Sequence, residues 1–323
     1  MQSCRPVLND YALEFLNRTG WGNATCEPLA GDASARKYFR LRKKNQSAVL
    51  MDTSQLREIL APFIHVDEHL RRLGFSAPQI LARDEKYGAL LLEDFGDANF
   101  AQLLDAGNEP ETFFTLATDV LIALHKNPRA IPNGLRSYSP EKMLADIKLF
   151  LDWCTADISK AGKTDFESAW REVLPVAHQV PNSLLLRDYH VANLMRLPAR
   201  EGIRQAGLLD FQDAYQGPVT YDLVSLLEDA RRDVPEDLRR KTIGRYLAQF
   251  PALDRNAFET SMAILAALRH TRVLAIFEKL EHEGKPDYKK FHSPRVERLL
   301  QTALRHPMLA GVKNWFEQYV RQN

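Results

Sequence analysis

Three side chains carry oxygen chemistry at telling positions. Asp188 and Asn193 stand five residues apart in RDYHVAN, and Asp210 opens the triplet DFQ after the apolar Leu208 and Leu209. Phosphoryl transfer asks a protein mainly for position and charge: a carboxylate to orient the attacking hydroxyl, and hard oxygen ligands for a magnesium ion bridging the phosphates. In that scheme Asp188 takes the hydroxyl, while Asn193 and Asp210 take the metal. Each element alone is weak, because a D-x-x-x-x-N string arises by chance and an aspartate ending a strand is often a plain cap or turn residue. Together they point to function, since both follow apolar runs and come in the required order, with a gap of roughly 20 residues that suits a short hairpin.

The elements that must position these groups fall into two textures. Up to residue 95 the pattern is mainly strand: residues 26–29 and 37–42 joined by the polar turn GDASAR, then 47–51, 77–84 and 88–96. An amphipathic helix over 10–17 opens the chain. A helical stretch after Thr53 or Ser54 is expected to be interrupted at Pro62 before Phe63, Val66, Leu70 and Leu73 resume helical spacing. From residue 99 onward helical windows dominate, at 113–125, 140–155, 166–177, 220–233, 235–250 and 255–283. Two strand-like islands, from Ser183 and from Gln205, interrupt them and carry the three candidate residues. The expectation is an α+β chain with an N-terminal lobe over 1–95, built on a small antiparallel sheet, and a mainly helical lobe over 96–323.

Bulk properties narrow the classes of partner. The 323 residues, 45% hydrophobic and 26% charged, suit a packed protein of one large domain or two lobes. Forty-three basic against 42 acidic side chains leave a net charge of +1, which supplies no global field for nucleic acid or an anionic membrane. Cys4, Cys26 and Cys154 form no close pair, which fits a reducing, cytoplasmic setting. The N-terminus does not read as a secretory signal. The most apolar stretch, from Ala263, is cut by Arg269, His270 and Arg272, so no membrane-spanning segment is expected.

Residues 186–193, LRDYHVAN, resemble the catalytic loop H-G-D-x-H-x-x-N of the aminoglycoside phosphotransferase and choline kinase superfamily, with His190 retained. Residues 207–233 resemble more closely the bacterial anomeric N-acetylmuramate/N-acetylglucosamine kinases of cell-wall recycling. So do GDASARKYFR from Gly31, AVLMDTS from Ala48, LLLEDFGD from Leu90 and the long stretch from Leu268 to Val296. The resemblance implies a protein-kinase-like two-lobed fold and an ATP- and Mg2+-dependent transfer to the anomeric hydroxyl of an N-acetylated amino sugar. It also implies Asp188 as catalytic base, Asn193 and Asp210 as magnesium ligands, and an adenine-binding hinge around Glu93 to Phe95.

The turn Gly31-Asp32-Ala33-Ser34 would then cover the phosphates with backbone N–H groups, or serve as an ordinary hairpin loop. Met51 stands where relatives in the superfamily place a phosphate-binding lysine, and Leu186 where they place a histidine. Arg40 either supplies the missing charge or is a solvent-facing strand residue. His190 and Asp222 read as structural supports of the catalytic loop. Asp213, Tyr215 and Arg232 either face the sugar or lie at the surface, and Arg232 and Arg269 are candidates for an acceptor carboxylate. Two other readings stay open: an acceptor such as an aminoglycoside or choline, and a catalytically weak nucleotide-binding module. Oligomeric state is not legible.

Overall fold

The computed structural model describes residues 2–3, 8–29, 36–155 and 157–320. The chain divides into two compact units, residues 1–108 with 192–214, and residues 109–191 with 215–323.

In the first unit, β1 (Gln2–Ser3), α1 (Asp10–Arg18), β2 (Thr25–Leu29), β3 (Lys37–Lys43), β4 (Gln46–Asp52), α2 (Leu60–Arg72), β5 (Ile80–Asp84), β6 (Ala89–Glu93) and α3 (Phe100–Asp105) follow in chain order. The strands form an antiparallel sheet in the order β1-β2-β3-β4-β6-β5. Alternation does the sorting: Phe39 and Leu41 of β3 and Ala48 and Leu50 of β4 point to one face, where Phe15 and Leu16 of α1 close the core. Asn9 caps α1 by accepting the Ala12 N–H at 2.8 Å. Met51 pairs with Tyr38 and Leu90 across the sheet and is fully buried. Pro62 does not interrupt α2 as the sequence suggests. It stands in the first turn, where the backbone N–H would have no helical partner, so the ring costs nothing there.

The unit boundary differs from the expected one after residue 95. Strands Leu194–Arg196 and Ala206–Leu208 pair as an antiparallel hairpin and belong to the first unit. Their backbone is tied there: Leu208 N donates to Ser76 O at 2.8 Å, and Arg196 N to Ala98 O at 2.7 Å. Gly207 is required by close approach, because a Cβ there would meet the Phe95 ring at 2.8 Å.

The second unit holds α4 (Pro110–Lys126), α5 (Pro140–Ile147), α6 (Leu149–Trp153), α7 (Lys160–Val173), α8 (Thr220–Leu227), α9 (Glu236–Ala248), α10 (Arg255–His282), α11 (Asp287–Ala303) and α12 (Ala310–Tyr319). One antiparallel strand pair, Asn182–Leu185 with Tyr215–Pro218, completes it among the described residues. The helix expected over 140–155 breaks at Lys148, and that over 220–233 stops at Leu227. Helices α11 and α12 lay outside the sequence expectations; Pro294 inside α11 removes one helical N–H, and neighbouring contacts hold the helix regardless. Helix α10 is long and apolar enough, by length and composition alone, to cross a membrane, despite Arg269, His270 and Arg272. Its most apolar stretch is 78% buried, and α8 and α11 pack against it as on a core helix. Trp315 sits edge-on to Phe166 at 4.7 Å, and rings of this kind contribute roughly 1.5–3 kcal/mol each on burial.

Candidate active site

The Asp188 loop lies in the second unit, directly after strand Asn182–Leu185. Its bend is held from below by Asp222 in the first turn of α8. The Asp222 carboxylate accepts the Leu186 N–H at 2.7 Å and the Arg187 N–H at 2.9 Å. Burial lifts the Asp222 carboxyl to about 7, against the pull of these two donors. Ser225 Oγ donates to Arg187 O at 3.1 Å, and the Tyr189 hydroxyl donates to Ala117 O at 2.8 Å. With so many anchors Arg187 is kept in the left-handed region at φ 66°, a conformation that costs a non-glycine residue about 1–3 kcal/mol. Its guanidinium stacks 4.6 Å over the Tyr138 ring and pairs with Asp146 at 2.9 Å.

Asp188 is half-buried. Burial works to raise its carboxyl, but the charges of Arg272, His190, Arg187 and Arg269 outweigh that and hold it below the usual aspartate value. Burial keeps His190 itself below its ordinary value, so near pH 7 the lasting field comes from the arginines. An ionised Asp188 can accept a hydrogen bond from a hydroxyl at neutral pH.

A cavity of about 410 Å³ opens in the first unit. The chain from Glu93 to Gly96 lines it, as do Arg36, Asn193 and Asp210. Asp210, like Arg187, is left-handed, at φ 61°; the only other described non-glycine residue in that region is Lys44, in the β3–β4 turn. Strain of this sort persists where surrounding contacts enforce it, and here they are at hand. Leu209 N donates to Asn193 O at 3.0 Å, Gln212 Nε2 to Asp210 Oδ1 at 3.0 Å, and the Phe211 ring stacks on Phe63 at 5.0 Å. The Asn193 side-chain nitrogen stands 3.5 Å from Asp210 Oδ2, and Arg36 Nη2 stands 2.7 Å from Asp210 Oδ1. A carboxylate beside a side-chain amide is a hard-oxygen donor set that suits magnesium, which takes one or two carboxylates and fills its other positions with phosphate and water. Among the described residues no cluster of three or more His, Cys, Asp or Glu offers a closed metal cage.

The structure brings Asn193, Asp210, Glu93 and Phe95 to this one cavity. Glu93 pairs with Arg200 at 2.5 Å, and the Arg200 guanidinium covers the Phe95 ring at 5.1 Å. Arg40 also lines the cavity, and it is not a solvent-facing strand residue. It is buried and committed to Asp94 at 3.0 Å, Gly96 O at 2.8 Å and Asp97. Gly31, Asp32, Ala33 and Ser34 lie outside the described residues. Asp213 is exposed in the first unit. In the second unit Tyr215 is buried, with Arg187 5.1 Å over its ring. Arg269 is likewise buried, donating to Glu228 O at 3.3 Å; Arg232 is half-buried. Sequence reading missed Arg36, whose only signal was a cation at the entry to β3, and Arg272, which it took for an interruption of an apolar run.

Residues 25–259 match the family model described as "Phosphotransferase enzyme family". An N-acetylmuramate/N-acetylglucosamine kinase of Caulobacter vibrioides is 34% identical, over 95% of this chain and 95% of its own length. The kinase of the same name from Pseudomonas aeruginosa is 33% identical, over 96% and 92%. Among solved structures, choline kinase LicA from Streptococcus pneumoniae matches with a TM-score of 0.63 at 12% identity, over 90% of this chain and 98% of that one. The ADP-bound aminoglycoside phosphotransferase APH(2'')-Ib matches with a TM-score of 0.61 at 17% identity, over 94% and 99%. At such identities these two speak for a common fold, with an antiparallel sheet in the N-terminal part and helices in the C-terminal part.

Proposed function

This chain belongs to the phosphotransferase enzyme family, and we propose that it is an ATP-dependent sugar kinase acting on the anomeric hydroxyl of N-acetylmuramate or N-acetylglucosamine. The observation that carries this reading is the extent of the relationship, since two kinases named for those sugars align over more than nine tenths of both chains. A cytoplasmic setting goes with it, as do the unbridged thiols Cys26 and Cys154.

Asp188 accepts the hydrogen bond of the acceptor hydroxyl and orients its oxygen toward the γ-phosphorus. As that oxygen bonds to phosphorus, the bond to the bridging oxygen breaks, ADP leaves, and the hydroxyl proton passes to the Asp188 carboxylate. Asn193 and Asp210 would hold Mg2+, which neutralises charge on the phosphates. The chain from Glu93 to Phe95 faces the adenine. His190 and Asp222 position the loop and stay out of the chemistry. Residues 1–95 supply the nucleotide lobe in this reading, joined by the hairpin at 192–214. On the acceptor side the buried Tyr215 and Arg269 keep only a supporting part, and Asp213 and Arg232 stay candidates to face the sugar.

The field on Asp188 favours this acceptor class over the cationic ones. At neutral pH the positive charges acting on it are those of Arg272, Arg187 and Arg269, a setting that disfavours a polycationic aminoglycoside or choline and tolerates a neutral or carboxylate-bearing sugar. Incubation with ATP, magnesium and a panel of sugars, choline and aminoglycosides, read by phosphorus NMR, tests the assignment. N-acetylmuramate or N-acetylglucosamine should yield an acid-labile anomeric phosphate, and the corresponding methyl glycoside should not react. Equal turnover of the methyl glycoside overturns the anomeric assignment, and preference for choline or an aminoglycoside overturns the sugar.

A further inference from the structure

Met51 is fully buried between Tyr38 and Leu90, so β4 presents no cation to the cavity. Arg40 reaches the cavity wall but is consumed by Asp94, Asp97 and the Gly96 carbonyl. Glu93 is matched by Arg200. That leaves Arg36, immediately before β3, whose side chain is only 12% exposed and whose Nη2 touches Asp210 Oδ1 at 2.7 Å. A guanidinium and a divalent cation are alternatives at the same carboxylate oxygen. A metal at Asp210 displaces Arg36 from the carboxylate it pairs with at 2.7 Å, and leaves a largely buried guanidinium, in contact with the Tyr38 hydroxyl at 3.4 Å, beside the metal on the lining of the cavity. Phosphate oxygens answer that charge with geometry a guanidinium can grip through two N–H groups.

Resting on the nucleotide-kinase reading above, we propose that Arg36 is the phosphate-binding cation of this chain, in the role left open by Met51, and that it reaches the phosphates by exchanging Asp210 for them when the metal binds. The ion pair with Asp210 is then the nucleotide-free half of a two-position device. One position pairs Arg36 with Asp210; the other pairs Asp210 with the metal and Arg36 with phosphate. Metal and phosphate therefore each favour the other's binding, and the coupling is reciprocal.

The exchange is read by binding alone, on the full chain without acceptor sugar. Calorimetry compares the β,γ-imido analogue of ATP with adenosine, both with magnesium, and electron paramagnetic resonance follows Mn2+ without nucleotide. In Arg36→Met the ratio of analogue to adenosine affinity should fall about 10- to 100-fold, while Mn2+ alone should bind more tightly because Asp210 is released. Arg36→Lys should keep the ratio within several-fold of wild type, which a purely structural guanidinium would not allow. Using the ratio keeps the result interpretable for a weakened variant, and Arg36→Gln repeats the measurement should the methionine variant fail to fold. An unchanged ratio in both neutral variants overturns the phosphate contact, and unchanged or weaker Mn2+ binding overturns the exchange. Wild-type protein that binds the analogue no better than adenosine would sink the nucleotide reading itself, which is a separate failure.

Discussion

Asp222 in the second unit and Asp210 in the first are both aspartates at the heart of a candidate site, and they are held in opposite ways. Asp222 is fully buried, and its two oxygens are taken by backbone N–H groups of the loop that it supports. Asp210 keeps 30% of its side chain exposed, and its partners are the side chains of Arg36, Gln212 and Asn193. Backbone donors cannot leave without unfolding the loop, whereas side chains can rotate away. The first arrangement is scaffolding; the second leaves an oxygen that a ligand can claim. A third carboxylate, Asp67 on α2, is fully buried with neither oxygen hydrogen-bonded, and burial pushes it up to about 7.

The sharpest break in that comparison comes from the reacting group itself. Asp188→Asn should lower turnover by on the order of 10²–10⁴-fold while leaving ATP affinity and melting temperature near wild type. Steady-state kinetics beside calorimetry decides it, and turnover close to wild type removes Asp188 as the base. Asp210→Ala tests the exchangeable carboxylate: magnesium should cease to strengthen nucleotide binding, a loss of about tenfold or more in the metal-dependent part. Adenosine affinity should hold, and an unchanged magnesium effect would make Asp210 a structural residue.

Asp222→Asn tests the scaffold. Its single carbonyl oxygen can satisfy one loop N–H with the geometry of the carboxylate and faces the other with an NH2 group, so chemical denaturation should show a loss of about 1–3 kcal/mol. Stability equal to wild type would show that the loop is held without it.

The smallest effect belongs to Asp67. An unfolded aspartate titrates near ~3.9, so between about pH 4 and pH 7 the folded chain keeps a proton that the unfolded chain has released. Folding stability contributed by this group therefore falls as pH rises through that window and is lowest above it. Asp67→Asn should melt with wild type near pH 4 and at least ~2 °C above it at pH 8. A variant that melts lower at pH 8 refutes the buried, partnerless carboxylate.

Legibility in the sequence followed the range of the interaction. Strands β2 to β6 and helices α1, α4 and α10 announce themselves by periodicity, since a short window of side chains decides each of them. Pro62 misled because a proline's cost depends on its place in a helix, and that place was set by the Arg57–Ile59 turn before it. Helices α11 and α12 stayed hidden because packing decides them, α11 against α10 and α12 through Trp315 and Phe316 against Phe166 and Phe150, and it outweighs what Pro294 and a mostly polar sequence advertise.

By itself the sequence determined that Asp188, Asn193 and Asp210 come in the order and spacing that phosphoryl transfer uses, because that order is written along one stretch of chain. Tertiary structure alone decided the rest. It buried Met51, spent Arg40 on Asp94 and Asp97, carried residues 192–214 into the first unit, and set Arg36 against Asp210. Each of those outcomes pairs groups far apart in sequence. Which cation meets which carboxylate depends on strand register and burial, and no local pattern encodes either.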